Sequence, residues 1–241
     1  MGLFCLAFLV LLTLTQVMRQ TVTGLPPIVF MLIVYMTCTA LAVVLLRSKA
    51  AYVFGRPPVS EQSEVLDWSW SRTLRLVPVT AVMLWGLPLA YGAYVGAPTL
   101  RTLDPNILLY ALVIQVMLVG LSEELFFREA GLKGWAHQSL TGLAITSLAF
   151  FVFHLHLGLW QALIASSAGL VYGSLRIAGA GILAVALLHG LTNVIFSRVL
   201  TLGLPEDGLP AYTLFFACAA AVLSLGLLWA RPHTTQQSWS Q

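Results

Sequence analysis

Eight stretches of the chain are apolar over almost their whole length, and each is close to the length needed to cross a bilayer. A helix needs about 20 residues to span the hydrocarbon core. Strands of a membrane barrel would instead alternate apolar and polar residues, which these stretches do not. We therefore predict an all-α polytopic membrane helix bundle with about eight transmembrane helices, at residues 2–18, 27–46, 75–96, 106–127, 141–158, 159–175, 179–198 and 211–230.

The composition excludes several other classes of protein. Charged residues make up 9% of the chain and hydrophobic residues 59%, whereas a soluble domain carries roughly 25% charged residues. The net charge of +3 comes without a basic run, so a nucleic-acid partner is not expected. The three cysteines are far apart in sequence, which excludes a disulfide framework and a CxxC metal site.

The distribution of lysine and arginine predicts the orientation. With a cytoplasmic N-terminus and eight crossings, the inner side carries nine basic residues and the outer side three. This bias follows the positive-inside rule, so both termini are expected in the cytoplasm. The compact size and short loops suggest a prokaryotic inner membrane. The nine inner residues are Arg47, Lys49, Arg56, Arg72, Arg75, Arg128, Lys133, Arg176 and Arg231, and the three outer ones are Arg19, Arg101 and Arg198.

The largest segment between spans is the inner loop at residues 47–75. Its tryptophans, Trp68 and Trp70, lie among charges, a pattern typical of a short helix in the headgroup region. No repeat or flexible linker divides the chain. We therefore expect one membrane-embedded domain over residues 1–241, with this loop as a cytoplasmic interfacial segment.

Two adjacent glutamates, Glu123 and Glu124, interrupt an apolar run, and Arg128 follows them. An ionised carboxylate at membrane depth costs at least about 2.5–3.5 kcal/mol, so these groups should be paired or used. Glu124 and Arg128 are four residues apart and share a helix face, which favours an ion pair. Glu123 points about 100° away and has no cation nearby in sequence. A carboxylate placed in this way is suited to act as a general base.

His154 should reach the depth of Glu123. If the helix carrying Glu123 runs to about residue 135, the chain turns back near residues 137–141, midway between the two residues. Both side chains then lie about 20 Å from the turn on antiparallel helices. His189 falls at a similar depth, and Asn193 lies one turn further along the same face. Two donors that point into a cavity with a carboxylate resemble an oxyanion hole.

The three motifs resemble those of a known family. EELFFR (123–128), FFVFH (150–154) and HGLTN (189–193) match, in order and spacing, the EExxxR, FxxxH and HxxxN/D motifs of the CPBP family of intramembrane proteases. This family includes type II CAAX prenyl endopeptidases and bacteriocin-processing enzymes. The resemblance covers residues 105–200, a catalytic core, and implies an eight-helix bundle with the active site inside the membrane.

The resemblance also implies a role for each motif residue of a glutamate-type peptidase. Glu123 and His154 would activate a water molecule, His189 and Asn193 would stabilise the oxyanion, and Glu124 with Arg128 would support the site. Phe150 is expected to pack in the pocket wall. His156 follows His154 by two positions, about 200° around a helix, so we expect it to face elsewhere. No cofactor is expected.

Two other functions remain open from the sequence. Glu123, His154 and His189 could bind zinc in a metal-dependent peptidase, with water as the fourth ligand. Alternatively, the buried charges could form a proton or substrate path in a transporter or membrane chaperone. For a peptidase, the expected partners are the lipid bilayer and a protein or peptide with a membrane-proximal cleavage site, such as a leader peptide, a bacteriocin or a C-terminal sorting tail.

Overall fold

The computed structural model describes residues 2–21, 26–47, 69–96, 98–102, 104–133, 135, 139–205 and 207–231. The described chain is an all-α bundle with one short two-stranded antiparallel ladder. Thr99 pairs with Thr201 and Leu100 with Leu200, so the ladder ties the segment after the third helix to the segment after the seventh. The helices are α1 Gly2–Thr21, α2 Pro27–Arg47, α3 Trp70–Val95, α4 Pro105–Lys133, α5 Ser139–His154, α6 Leu159–Ile177, α7 Ile182–Val199 and α8 Gly208–Trp229, and the strands are β1 Thr99–Leu100 and β2 Leu200–Thr201.

Seven helices of the described chain are long and apolar enough to cross a membrane, where about eight were predicted. The difference is α6, predicted as a span at residues 159–175. It forms a helix of 19 residues, but its polar residues lower its hydropathy, and its second half is buried within the protein. It packs mainly against α5 and α8. The prediction of a polytopic all-α bundle is confirmed, with seven described helices that meet the length and hydropathy of a span where about eight were predicted; α6 runs from one end of the bundle to the other without reaching that hydropathy.

The helix that carries both glutamates contains two π-helical segments. α4 is π-helical over Ile114–Gly120 and again over Glu124–Ala130, with the short α-helical piece Leu121–Glu123 between them. Such wide turns recur at functional sites because they re-aim side chains within a helix. The helix continues past Phe127 to Lys133, as the predicted depth of Glu123 required.

The third span begins five residues earlier than the predicted residue 75. Ser69 caps α3 by accepting a hydrogen bond from the backbone N–H of Arg72, so the helix starts at Trp70. Much of the predicted interfacial segment, residues 48–68 with Trp68, lies outside the described residues. Trp70 itself is exposed in the first turn of α3.

Glycines bring α4 and α7 into close contact. A Cβ at Gly120 would lie 2.6 Å from the carbonyl oxygen of Ala186, and a Cβ at Gly190 would lie 2.5 Å from the Cα of Val116. Small residues let membrane helices approach closely enough for backbone packing. Because Gly190 follows His189, this contact fixes how far the histidine reaches toward α4.

We predict that Gly190→Ala separates α4 from α7 and destabilises the protein. Overpacking of this kind costs about 1–3 kcal/mol, so the apparent melting temperature in detergent should fall by several degrees. Gly226→Ala in α8 is the matched control, because a Cβ there meets nothing within 4 Å. Equal thermal stability of the two variants would contradict the contact.

Candidate active site

A cavity of about 1070 Å³ reaches from one end of the bundle to the buried Glu123. Its floor includes Glu123, His154 and His189. Its outer wall includes Arg19 at the end of α1 and Arg101 beside β1. The cavity is large enough to admit a peptide segment, since ligand pockets commonly measure about 300–1,000 Å³.

Glu123 is fully buried, and an imidazole nitrogen faces each of its carboxylate oxygens. Its Oε1 lies 3.8 Å from Nε2 of His154, and its Oε2 lies 3.6 Å from Nε2 of His189. Tyr35 of α2 lines the same cavity beside this carboxylate. Neither carboxylate oxygen has a hydrogen-bond partner within the described residues. The carboxylate is therefore surrounded by polar groups while both oxygens keep acceptor capacity.

The backbone of α5 sets the tautomer of His154. The ring Nδ1 lies 2.9 Å from the carbonyl oxygen of Phe150. A carbonyl can only accept, so Nδ1 carries the proton, and in the neutral ring Nε2 bears a lone pair. That lone pair faces Glu123. Two hydrogen-bond acceptors therefore face each other at the cavity floor, an arrangement suited to a molecule that donates to both.

His189 lies between the two glutamates. Its Nδ1 donates to Oε1 of Glu124 at 2.8 Å, while Nε2 points at Glu123. The ring of Tyr172 stacks on the imidazole at 4.9 Å between centroids. With Nδ1 already donating, Nε2 can donate only when the ring is a charged imidazolium. The sequence had suggested an oxyanion donor here, but it did not indicate the bond to Glu124.

Arg128 is a fully buried cation that lies against Glu124, Phe150 and Gly169. Its Nε lies 3.5 Å from Oε2 of Glu124, which is also fully buried. The guanidinium stands 4.3 Å from the ring centroid of Phe150, within the range of a cation–π contact. A Cβ at Gly169 would overlap Nη2 of Arg128, so only glycine leaves room for the guanidinium.

Asn193 lies one turn beyond His189 on the cavity wall. Its Nδ2 donates to Oε1 of Gln115 at 3.2 Å. Gln115 is in the first π-helical segment of α4, which places its amide against α7. An amide nitrogen carries two hydrogens, so one N–H of Asn193 stays available to another acceptor.

The zinc alternative requires three side chains arranged to bind one metal ion, with water as the fourth ligand. Within the described part of the chain, no three histidine, cysteine, aspartate or glutamate side chains are arranged to hold a metal ion. Glu123, His154 and His189 lie near one another, and because Nδ1 of His189 donates to Glu124 and Nδ1 of His154 to a backbone carbonyl, only the two Nε2 atoms could face an ion beside Glu123.

The model of the type II CAAX prenyl endopeptidase Rce1-like family matches residues 105–195. The resemblance to the CPBP family is confirmed over this segment. The match supports a peptidase in general and an integral, multi-pass membrane protein. No curated protein and no solved structure matches the chain significantly. The matched segment contains all six motif residues: Glu123, Glu124, Arg128, His154, His189 and Asn193.

The structure places these six residues around one cavity floor or directly behind it, as their predicted depths required. Sequence reasoning missed Tyr35, Gln115 and Tyr172, whose only signal was a polar group within an apolar helix. It also misplaced His156. The chain leaves the α-helix at His154 for a 3₁₀ turn, so the 200° argument does not apply, and His156 lies at the cavity wall.

We predict that Glu124→Ala and Arg128→Ala each lower both thermal stability in detergent and activity. Removing one member of a buried ion pair leaves the other uncompensated and costs about 3–5 kcal/mol. The double variant should recover part of the stability, because no lone charge remains. Melting curves of the four proteins measure the coupling. Single variants as stable as the wild type would show that the pair does not support the site.

Proposed function

We propose that the protein is an intramembrane endopeptidase of the glutamate type, in which Glu123 and His154 activate the water molecule that attacks a peptide carbonyl. The observation that carries this proposal is the pair of facing acceptors, Oε1 of Glu123 and Nε2 of His154, 3.8 Å apart. Water is the smallest molecule that donates two hydrogen bonds, and it would bind both atoms there. Its oxygen lone pair would then point into the cavity, toward a bound peptide.

In the remaining steps, Glu123 carries one proton from the water molecule to the leaving nitrogen. As the water oxygen bonds to the carbonyl carbon, Glu123 accepts its proton and the carbonyl π electrons move onto oxygen as an oxyanion. When the tetrahedral intermediate collapses, the C–N bond breaks and the leaving nitrogen takes that proton. Two products form without a covalent link to the protein: a carboxylic acid, which keeps the second proton of the water molecule, and an amine. General-base assistance of this kind contributes about 10²–10⁴-fold in rate.

His189 and Asn193 supply donors for the oxyanion in this proposal. Asn193 offers the N–H that Gln115 does not use. His189 offers Nε2–H when its ring is an imidazolium, with Nδ1 donating to Glu124 behind it. Each preorganised donor of this type is worth about 10²–10³ in kcat. Glu124 and Arg128 orient the imidazole and do not contact the substrate.

The substrate we propose is a protein or peptide whose cleavage site lies close to the membrane. Water can reach a peptide carbonyl of the substrate only where the substrate chain is not helical. An extended segment of the substrate could enter the cavity and reach the buried Glu123. We further propose a prokaryotic inner membrane, with both termini in the cytoplasm, from the distribution of basic residues.

We predict that Glu123→Gln abolishes cleavage while the protein still inserts and purifies normally. Glutamine keeps the shape of the side chain but accepts no proton, so the loss should reach about 10²–10⁴-fold. The assay is turnover of an internally quenched peptide library by protein in proteoliposomes, with products identified by mass spectrometry. Asp104→Asn is the matched control, since it changes another acid of the same helix to its amide at an exposed N-cap.

Activity of Glu123→Gln within a few-fold of the wild type would contradict the mechanism. Transport of a peptide across the membrane without any cleaved bond, in the wild type, would favour the transporter alternative instead. The library distinguishes the two, because only hydrolysis produces fragments of lower mass.

Metal analysis of oxyanion-site variants separates the glutamate mechanism from a zinc enzyme. We predict that His189→Ala and Asn193→Ala each lower kcat by roughly 10²–10³ with little change in KM. Neither change should alter a metal content that is already near zero, and exhaustive chelation should leave wild-type activity intact. About one zinc per wild-type chain, lost together with activity in His189→Ala, would show that His189 is a metal ligand.

A further inference from the structure

The cavity opens at one end of the bundle, which we call the cavity face. Near the surface it is lined by Arg19 in the last turn of α1, Pro27 at the start of α2, Arg101 beside β1 and Gln161 in the first turn of α6. The extended residues 200–204 after α7 complete the wall. These lining residues stand where α1, α5 and α7 end and where α2 and α6 begin.

Contacts at the other end define a second surface, the terminal face. The backbone N–H of Ser69, before α3, donates to the carbonyl of Gly179, after α6. Near the end of α4, Glu129 binds Arg176 at 2.9 Å. Leu228, in the last turn of α8, packs on the cluster that contains Leu132 and Ile177. The start of α1 and the end of α8 therefore lie on the side of the bundle opposite the cavity mouth.

The basic residues divide unequally between the two faces. Arg128 is fully buried and counts toward neither. Six basic residues of the described chain lie on the terminal face. Three lie on the cavity face. The six are Arg47, Arg72, Arg75, Lys133, Arg176 and Arg231, and the three are Arg19, Arg101 and Arg198.

Two of the three arginines on the cavity face make contacts with neighbouring residues of that face. Arg101 donates to Oγ1 of Thr201 at 2.8 Å and to the carbonyl of Ser197 at 3.0 Å, which fastens the β1–β2 ladder. The guanidinium of Arg19 stands 5.5 Å from the ring centroid of Phe30. Both residues line the cavity.

The terminal face carries more of the basic residues than the cavity face. The positive-inside rule therefore favours the terminal face as the cytoplasmic one.

We infer that the cavity opens to the non-cytoplasmic side of the membrane, so the substrate is a translocated polypeptide segment. A secreted peptide precursor, or the exposed tail of a membrane protein on that side, meets this requirement. A tail in the cytoplasm does not, because the cavity mouth is on the other side of the bilayer. Cleavage then follows export of the substrate. The substrate class rests on the proposed peptidase function, while the direction of opening does not.

Cysteine accessibility tests the direction of opening without any need for activity. In a background with Cys5, Cys38 and Cys218 changed to serine, Thr99→Cys places one thiol on the exposed cavity face, and Ser71→Cys places one on the exposed terminal face. A membrane-impermeant maleimide is added to spheroplasts of a bacterial expression host. We expect labelling of Thr99→Cys in intact spheroplasts and of Ser71→Cys only after permeabilisation. The reverse pattern would overturn the inference.

A second measurement tests the side of cleavage. A membrane-impermeant quenched peptide that the purified protein cleaves is supplied to right-side-out spheroplasts and to sealed inside-out vesicles. We expect cleavage by spheroplasts at least tenfold faster than by sealed vesicles, and equal rates once detergent opens both. Faster cleavage by the sealed inside-out vesicles would overturn the inference. If no member of the peptide library is cleaved even in detergent, the proposed peptidase function and the substrate class fail together, and the labelling still decides the direction of opening.

Discussion

The burial of the Arg128 guanidinium is the constraint on which the rest of the site depends. A cation in an apolar bundle is tolerated only with a counter-charge and close contacts around it. Glu124 supplies the charge, Phe150 supplies a ring face, and Gly169 leaves the space. Glu124 in turn holds His189, so the position of this imidazole follows from the ion pair behind it.

The general architecture could be predicted from the sequence because each motif residue is polar inside an apolar helix. Helical rise alone placed Glu123 and His154 at one depth, and the structure brings them within 3.8 Å. The π-helical segments could not be predicted, since neither of them contains a proline or another sequence signal for a wide turn. For this reason the contact of His189 with both glutamates, and the pairing of Gln115 with Asn193, were missed. α6 was predicted as a span because its apolar run approaches the required length, although its polar residues keep its hydropathy below that of the other seven helices.

The arrangement also explains how hydrolysis can be confined within a membrane. Glu123 lies on the floor of the cavity, whose walls are mostly apolar side chains, so the cavity offers water a route to the carboxylate. The two histidines present their free nitrogens to the same carboxylate, one from each side. A peptide that enters the cavity therefore meets the proposed base and the proposed oxyanion donors together. The facing geometry depends on backbone contacts, namely the carbonyl of Phe150 for His154 and the close approach of α4 and α7 for His189.

The central claim is that Glu123 acts as a base toward water and not as a nucleophile toward the peptide. Rapid-quench mass spectrometry of a single turnover in ¹⁸O-labelled water tests it most directly. Our account predicts one ¹⁸O atom in the new carboxylate of the product, an unchanged protein mass at all times, and no ¹⁸O in Glu123. A transient protein adduct carrying the acyl fragment, or ¹⁸O incorporated into the Glu123 carboxylate, would contradict it.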